Sequence, residues 1–247
     1  MLGLALLGAL PGGLEAPHAT DVLDRISRTV ALSAARSVRV DATVADVTIS
    51  ASERTDLAVE IVRRAPTPAD LARFPAVIEQ KGETLRIAAL QADDGRDARL
   101  KADIRVQAPA AAQFDAVRVF EGLVRVTGLH NGCDVDIQRG RIEATAVAGR
   151  VRLESGVGSI DVRDPSLTRG GMLRLRVFNG PIRVSFDRPP PDARILALTF
   201  NGSIASDIPL AMKDKFGPRF GEATLGAGEP VMSIDVVTGD ITIRVRP

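Results

Sequence analysis

The side chains in this chain best suited to nucleophilic chemistry lie within five residues, His130-Asn-Gly-Cys133-Asp134. A cysteine becomes a thiolate nucleophile when a histidine sits within hydrogen-bond reach of it. Here a glycine separates the two, and the simpler reading makes both local turn and strand-edge residues. Other reactive patterns are missing. Gly158-Ser159-Ile160 lacks the second glycine of a nucleophile elbow. There is no phosphate loop, no dinucleotide glycine fingerprint and no His-Glu-x-x-His. One cysteine and two histidines exclude an intrachain disulfide and any Cys-rich metal module. Calcium-binding β-rolls need paired glycines and an aspartate at every turn, whereas Gly170-Gly171 and Asp240 stand alone. No catalytic residue, metal ligand or cofactor is expected.

Carboxylates are more plentiful. Asp134, Asp136, Glu143, Glu154 and Asp161 fall at outward positions of alternating stretches, interleaved with Arg125, Arg141, Arg152, Arg163, Arg174, Arg176 and Arg183. Such a ladder reads most simply as solvated cross-strand ion pairs. The sharper alternatives are an arginine face for a glycan or polyanion, and a polysaccharide-acting enzyme built on the carboxylates. The absence of Trp and Tyr counts against a sugar-stacking platform. The most distinctive segment is Lys213-Asp-Lys215-Phe216-Gly-Pro-Arg219-Phe220, basic residues interleaved with two rings. Lys213, Lys215, Phe216, Arg219 and Phe220 are therefore the candidate binding residues. The plainer reading has both rings packed against the body of the protein.

The elements that would position these residues show in the glycines. Gly122, Gly132, Gly140, Gly149, Gly158, Gly180, Gly202 and Gly239 each open a short run that alternates apolar and polar, as in Gly158-Ser-Ile-Asp-Val162. Alternation at period two is a strand with one buried face. A five-residue strand plus a turn fits the early spacing near nine, and two such units make a coil of about 18–22 residues. The expectation is an all-β, single-domain β-solenoid or β-helix-like stack. Phe120, Phe178 and Phe200, each two residues before a turn glycine, would form a ladder capping its core. Earlier alternating runs, such as Val38–Val40, Leu57–Ile61 and Ile104–Val106, add strands. One short helix interrupts them, with Thr67 as N-cap and Pro68 in its first turn, running to about Phe74 and reforming to Gln80. Asp93–Asp97 reads as an exposed turn, and Asp207–Pro230 as a loop-rich departure from the repeat.

The amino-terminal run Met1–Leu14 has the length of a signal-peptide core, with small residues at Ala16 and Ala19. Its basic leader is missing, which a start upstream of Met1 would supply. The expected organisation is a leader over residues 1–19 and one domain over residues 20–247, exported to the periplasm, cell surface or medium. A formal net charge of +1 leaves no field to attract nucleic acid. The partner expected is an envelope glycan or another protein, with self-association allowed.

From Ile104 to Val245 the chain resembles the bacterial putative-adhesin family of β-strand-repeat proteins. The resemblance rests on Val106-Gln-Ala-Pro109, the ordered glycine series, Phe200-Asn-Gly-Ser-Ile204 with Ser206-Asp-Ile-Pro209, and Val237-Thr-Gly-Asp-Ile241. It implies a solenoid-like fold, an envelope or surface setting and no catalytic residues. The expected function is a non-enzymatic, adhesin-like module. The alternatives are the polysaccharide-acting enzyme above and a periplasmic binding or scaffold protein using the 207–230 loop.

Overall fold

The computed structural model describes residues 21–31, 37–90, 100–213 and 217–246. The leader expected at 1–19 and the turn at 93–97 lie outside them. Alternating sequence becomes strand almost throughout. The elements are β1 (Val22–Ala31), β2 (Ser37–Ser52), β3 (Asp56–Ala65), α1 (Pro68–Arg73), β4 (Ala76–Lys81), β5 (Thr84–Ala89) and β6 (Lys101–Pro109). There follow β7 (Phe114–Thr127), β8 (Cys133–Thr145), β9 (Arg150–Arg163), β10 (Met172–Asn179), β11 (Ile182–Phe186) and β12 (Ala193–Asn201). The last five are β13 (Ile204–Ser206), β14 (Ala211–Lys213), β15 (Arg219–Leu225), β16 (Val231–Thr238) and β17 (Ile241–Val245).

Parallel pairing in a fixed register joins them into a 17-stranded sheet. Gly122 of β7 lies beside Gly140 of β8, and Gly140 beside Gly158 of β9. The spatial order of the parallel rungs is β5 with β6, then β2, β7, β8, β9, β10 with β11, β16 with β17, and β12 with β13. The two termini are thus inserted: β2 sits between later rungs, and β16 with β17 between earlier ones. Antiparallel strands cover the ends. Strand β3 pairs with β6, β1 with β3, β4 with β5, β15 with β12, and β14 with β15. These strands cover much of the backbone edge that would otherwise invite another chain.

Inward side chains stack in columns. Ile104, Val47, Val124, Ile142, Ile160, Ile182 and Ile241 follow one another across seven rungs, all fully buried. Each contributes roughly 1.5–3 kcal/mol through burial. The glycines form a second column along a corner, Gly122, Gly140, Gly158, Gly180, Gly239 and Gly202. A Cβ on any of them would lie 1.6–2.2 Å from a carbonyl oxygen of the neighbouring rung. Gly132 and Gly149 belong to a different corner. The early spacing near nine therefore alternates between two corners of an 18-residue repeat.

Two expectations need correction. Phe120, Phe178 and Phe200 share one column but form no core ladder. Gln138 and Gly156 separate the first two, Val237 separates the last two, and the rings are 41%, 64% and 55% exposed. The alternation places these rings on the outward parity of their strands. The helix keeps its expected cap, with Thr67 Oγ1 accepting from the Asp70 amide at 3.2 Å, but does not reform after Pro75. Residues 76–81 instead pair with β5, because an open strand edge satisfies their backbone better than an isolated turn of helix. Within the loop-rich 207–230 segment, β14 and β15 pair as an antiparallel hairpin. The alternating run at Val38–Val40 belongs to the long strand β2.

A small second core closes the amino-terminal end, built from Ala65, Leu71, Phe74 and Leu100. Arg63, 7% exposed, pairs with Asp24 of β1 and donates to the Leu71 carbonyl at 3.0 Å, tying β1, β3 and the end of α1 together.

Candidate functional site

Along most of the stack the outer face of the first strand half is charged. One column runs Arg118, Asp136, Glu154, Arg176, Asp235, and then changes character to Leu198 and Phe220. The column beside it runs Asp134, Arg152, Arg174, Ser233 and Leu196. The corner column ends in Phe178, Val237 and Phe200. At the carboxy-terminal end the outer face therefore gathers apolar side chains, Leu196, Leu198, Phe200, Phe178, Val237 and Phe220, around Ser233, Asp235 and Glu222. Strand β12 makes this possible because both of its faces are apolar. Ile195 and Ala197 point into the core while Leu196 and Leu198 stay half-exposed.

Cationic side chains rim this face. Arg174 and Arg176 stand on β10, and Lys213 on the hairpin. Lys213 Nζ sits 5.8 Å from the centre of the Phe220 ring, opposite it across the hairpin. The structure thus brings together two of the candidate residues, Lys213 and Phe220, whereas Arg219 pairs with Thr199 at the opposite parity of β15. Lys215 and Phe216 lie outside the described residues. Sequence reasoning missed Phe178, Phe200, Leu196 and Leu198. The available signal was the run Ile195-Leu-Ala-Leu-Thr-Phe200, apolar at both parities in a strand that caps nothing on its outer side.

The chemistry-bearing residues are arranged otherwise. Cys133 is buried, and desolvation pushes its thiol up to about 12, whereas His130 is exposed. No thiolate–imidazole pair forms. Much of the charged ladder is paired: Arg125 with Glu143 at 2.8 Å, Arg152 with Glu154 at 2.8 Å and Asp134 at 3.5 Å, Arg183 with Asp161 at 3.5 Å. Exposed pairs of this kind contribute at most about 1 kcal/mol each. Asp136 lies beside Glu154 on the next rung. Burial, then the Glu154 charge, raises its carboxyl above the usual aspartate range, against Arg118 and Arg152. Among the described residues no group of three or more His, Cys, Asp or Glu side chains is placed to hold a metal ion. None of their helices is long and apolar enough to cross a membrane.

Among solved structures, the chain is similar to a protein of Clostridium sporogenes ATCC 15579 described as a putative cell adhesion protein. The match covers 91% of this chain and 100% of that one, at 9% identity and a TM-score of 0.54. The chain shares its fold. A putative adhesin from Bacteroides fragilis NCTC 9343 aligns over 90% of this chain and 97% of its own, at 16% identity and a TM-score of 0.31. One from Parabacteroides distasonis ATCC 8503 aligns over 90% and 97%, at 14% identity and 0.29. No family model matches the sequence, and no curated protein matches it. At these identities the likeness is one of fold.

Proposed function

We propose that the protein is a non-enzymatic, adhesin-like recognition module of the bacterial envelope or cell surface, exported behind a leader at residues 1–19. Its rungs wind as a β-solenoid over residues 20–247, and the carboxy-terminal outer face is its docking surface. The observation that carries this reading is that face itself. Phe178 and Phe200 are exposed and Leu196 and Leu198 half-exposed beside Arg174, Arg176 and Lys213, on a face whose columns are charged on the earlier rungs. A contiguous apolar patch rimmed by charge marks an interaction site. The cationic rim selects an acidic partner surface. The Clostridium structure of the same fold, described as a putative cell adhesion protein, supports the surface setting.

The test is binding of the fluorescently labelled full chain to intact bacterial cells and purified envelopes. The Phe178→Ser/Phe200→Ser variant should fold normally and lose at least ten-fold in affinity. Equal binding by that variant refutes the assignment of the face. Shortening of an envelope polysaccharide by the wild type refutes the non-enzymatic reading and returns attention to Asp136 and Glu154.

A further inference from the structure

A second corner of the stack is also lined by glycine. Gly132, Gly149 and Gly171 follow one another on three rungs. A Cβ on Gly132 would lie 2.2 Å from the Arg150 carbonyl oxygen, and on Gly149 or Gly171 2.9 Å from the backbone of the previous rung. This corner is therefore bare backbone, and the neighbouring side chains stand around an open groove of 590 Å³. That volume suits a ligand the size of one or two sugar units, within the range of about 300–1,000 Å³ for ligand sites.

The groove is lined by Arg150, Arg152 and Arg169, with Asp115 and Asp134. Both aspartates are engaged. Asp134 faces Arg152 at 3.5 Å, and Asp115 accepts from Gln113 Nε2 at 2.6 Å. Arg152 is held further by Glu154. Arg150 and Arg169 are exposed and make no ion pair among the described residues, and the same holds for Arg174 on the next rung from Arg152. On other faces Arg125, Arg183, Arg194, Arg244 and Arg246 each face a carboxylate, whereas Arg118, Arg139 and Arg163 make no ion pair among the described residues. What sets Arg150 and Arg169 apart is that two guanidinium groups without an ion pair line one cavity. A guanidinium presents a planar fork that binds carboxylate or sulfate through two parallel hydrogen bonds.

We infer that this groove binds an acidic sugar unit of an anionic polysaccharide, with Arg150 and Arg169 grasping its charged group. The bare glycine corner lets the sugar approach the backbone, and the open groove lets the polymer continue past Arg174. The inference is independent of the carboxy-terminal face, which uses other residues apart from Arg174.

Isothermal titration of the full chain tests it, with oligogalacturonate and dextran sulfate oligosaccharides as probes. Neutral dextran, inorganic sulfate and a single-stranded DNA oligomer serve as comparisons. One or both acidic oligosaccharides should bind, neutral dextran should not, and Arg150→Gln/Arg169→Gln should weaken binding at least ten-fold with an unchanged thermal midpoint. Thr168→Glu, which adds a carboxylate to the exposed groove lining, should do the same without removing any existing contact. Arg183→Gln, on a different face, should leave affinity unaltered. No binding to either acidic probe, or equal loss in Arg183→Gln, overturns the inference. So does inorganic sulfate binding as tightly as dextran sulfate, or tighter binding of the DNA oligomer.

Discussion

The carbonyl oxygen of Gly140 lies 1.6 Å from where a Cβ on Gly158 would stand. Neighbouring rungs approach so closely at this corner that a side chain and the register cannot coexist. Gly158 also has φ +146°, a conformation that L residues rarely adopt. Gly158→Ala should therefore destabilise the protein by about 3 kcal/mol or more, combining backbone strain with a steric clash that must push rungs apart. Gly82, also at positive φ, has nothing within 4 Å of its Cβ position. Gly82→Ala should cost only about 1–2 kcal/mol. Chemical denaturation of the two variants side by side checks both values, and equal losses would contradict the close-approach explanation.

Cys133 gives a cleaner test of burial. Its thiol is raised to about 12, first by desolvation and then by the neighbouring Asp134 charge. At pH 8 the thiolate is therefore scarce and shielded in the folded protein. A disulfide reagent such as DTNB should fail to label the native chain over hours and titrate one thiol promptly in denaturant. Fast native labelling would show that the start of β8 opens readily.

Two aspartates pin turns near the carboxy-terminal end. Asp207 accepts from the Val245 amide at 3.0 Å and from Arg244 at 2.7 Å, and these hold its carboxyl below the usual aspartate range. Asp240 is lowered by the Ser203 hydroxyl at 2.7 Å and the Ser203 amide at 2.8 Å. A carboxyl whose folded pKa is depressed stabilises the fold above its unfolded pKa, near 3.8, and loses that contribution as pH falls through the folded value. Asp207→Ala/Asp240→Ala should thus melt lower than the wild type at pH 7, with the gap narrowing below pH 4. Asp136 has the opposite sign, since burial and Glu154 raise its pKa. Asp136→Asn should raise the melting temperature at pH 7, and the gain should shrink as acid protonates the wild-type carboxyl. Thermal melts from pH 3 to pH 8 read both trends.

How far the sequence reveals this molecule follows from which interactions are local. The glycine template is legible because each rung needs the same bare corner, so Gly122, Gly140 and Gly158 recur at intervals of 18 residues. The helix start is legible because Thr67 and Pro68 act within one turn. Strand order is not, because nothing near residues 231–245 records that β10–β11 and β12–β13 leave a gap one rung wide. The same holds for Ala76–Lys81, whose strand state depends on the open edge of β5. At the candidate face, Lys213 and Phe220 stood out as part of a basic, ring-bearing run. Leu196 and Leu198 did not, because an apolar side chain looks the same in sequence whether it points into a core or out of one. For the same reason Phe178 and Phe200 read in sequence as part of a ladder capping the core.

The inserted rung also decides how the carboxy-terminal half is held. Strands β16 and β17 pair on both sides, with β10–β11 and with β12–β13. Their inward residues Met232, Ile234, Val236, Ile241 and Ile243 are buried to 1% exposure or less. Removing them would open two strand edges and strand a third rung away from the stack. In a stack of rungs each unit is stabilised mainly by its neighbours, so damage should spread only as far as the lost contacts reach. A chain ending at Glu229 should therefore lose amide protection across β10–β15, while β7, β8 and β9 keep theirs through pairing with β2 and with one another. Hydrogen exchange read by mass spectrometry distinguishes the outcomes. Uniform loss of protection would mean that the whole sheet folds as one cooperative unit. Retained protection in β12 would mean that it re-pairs directly with β10, closing the gap that the last rung normally fills.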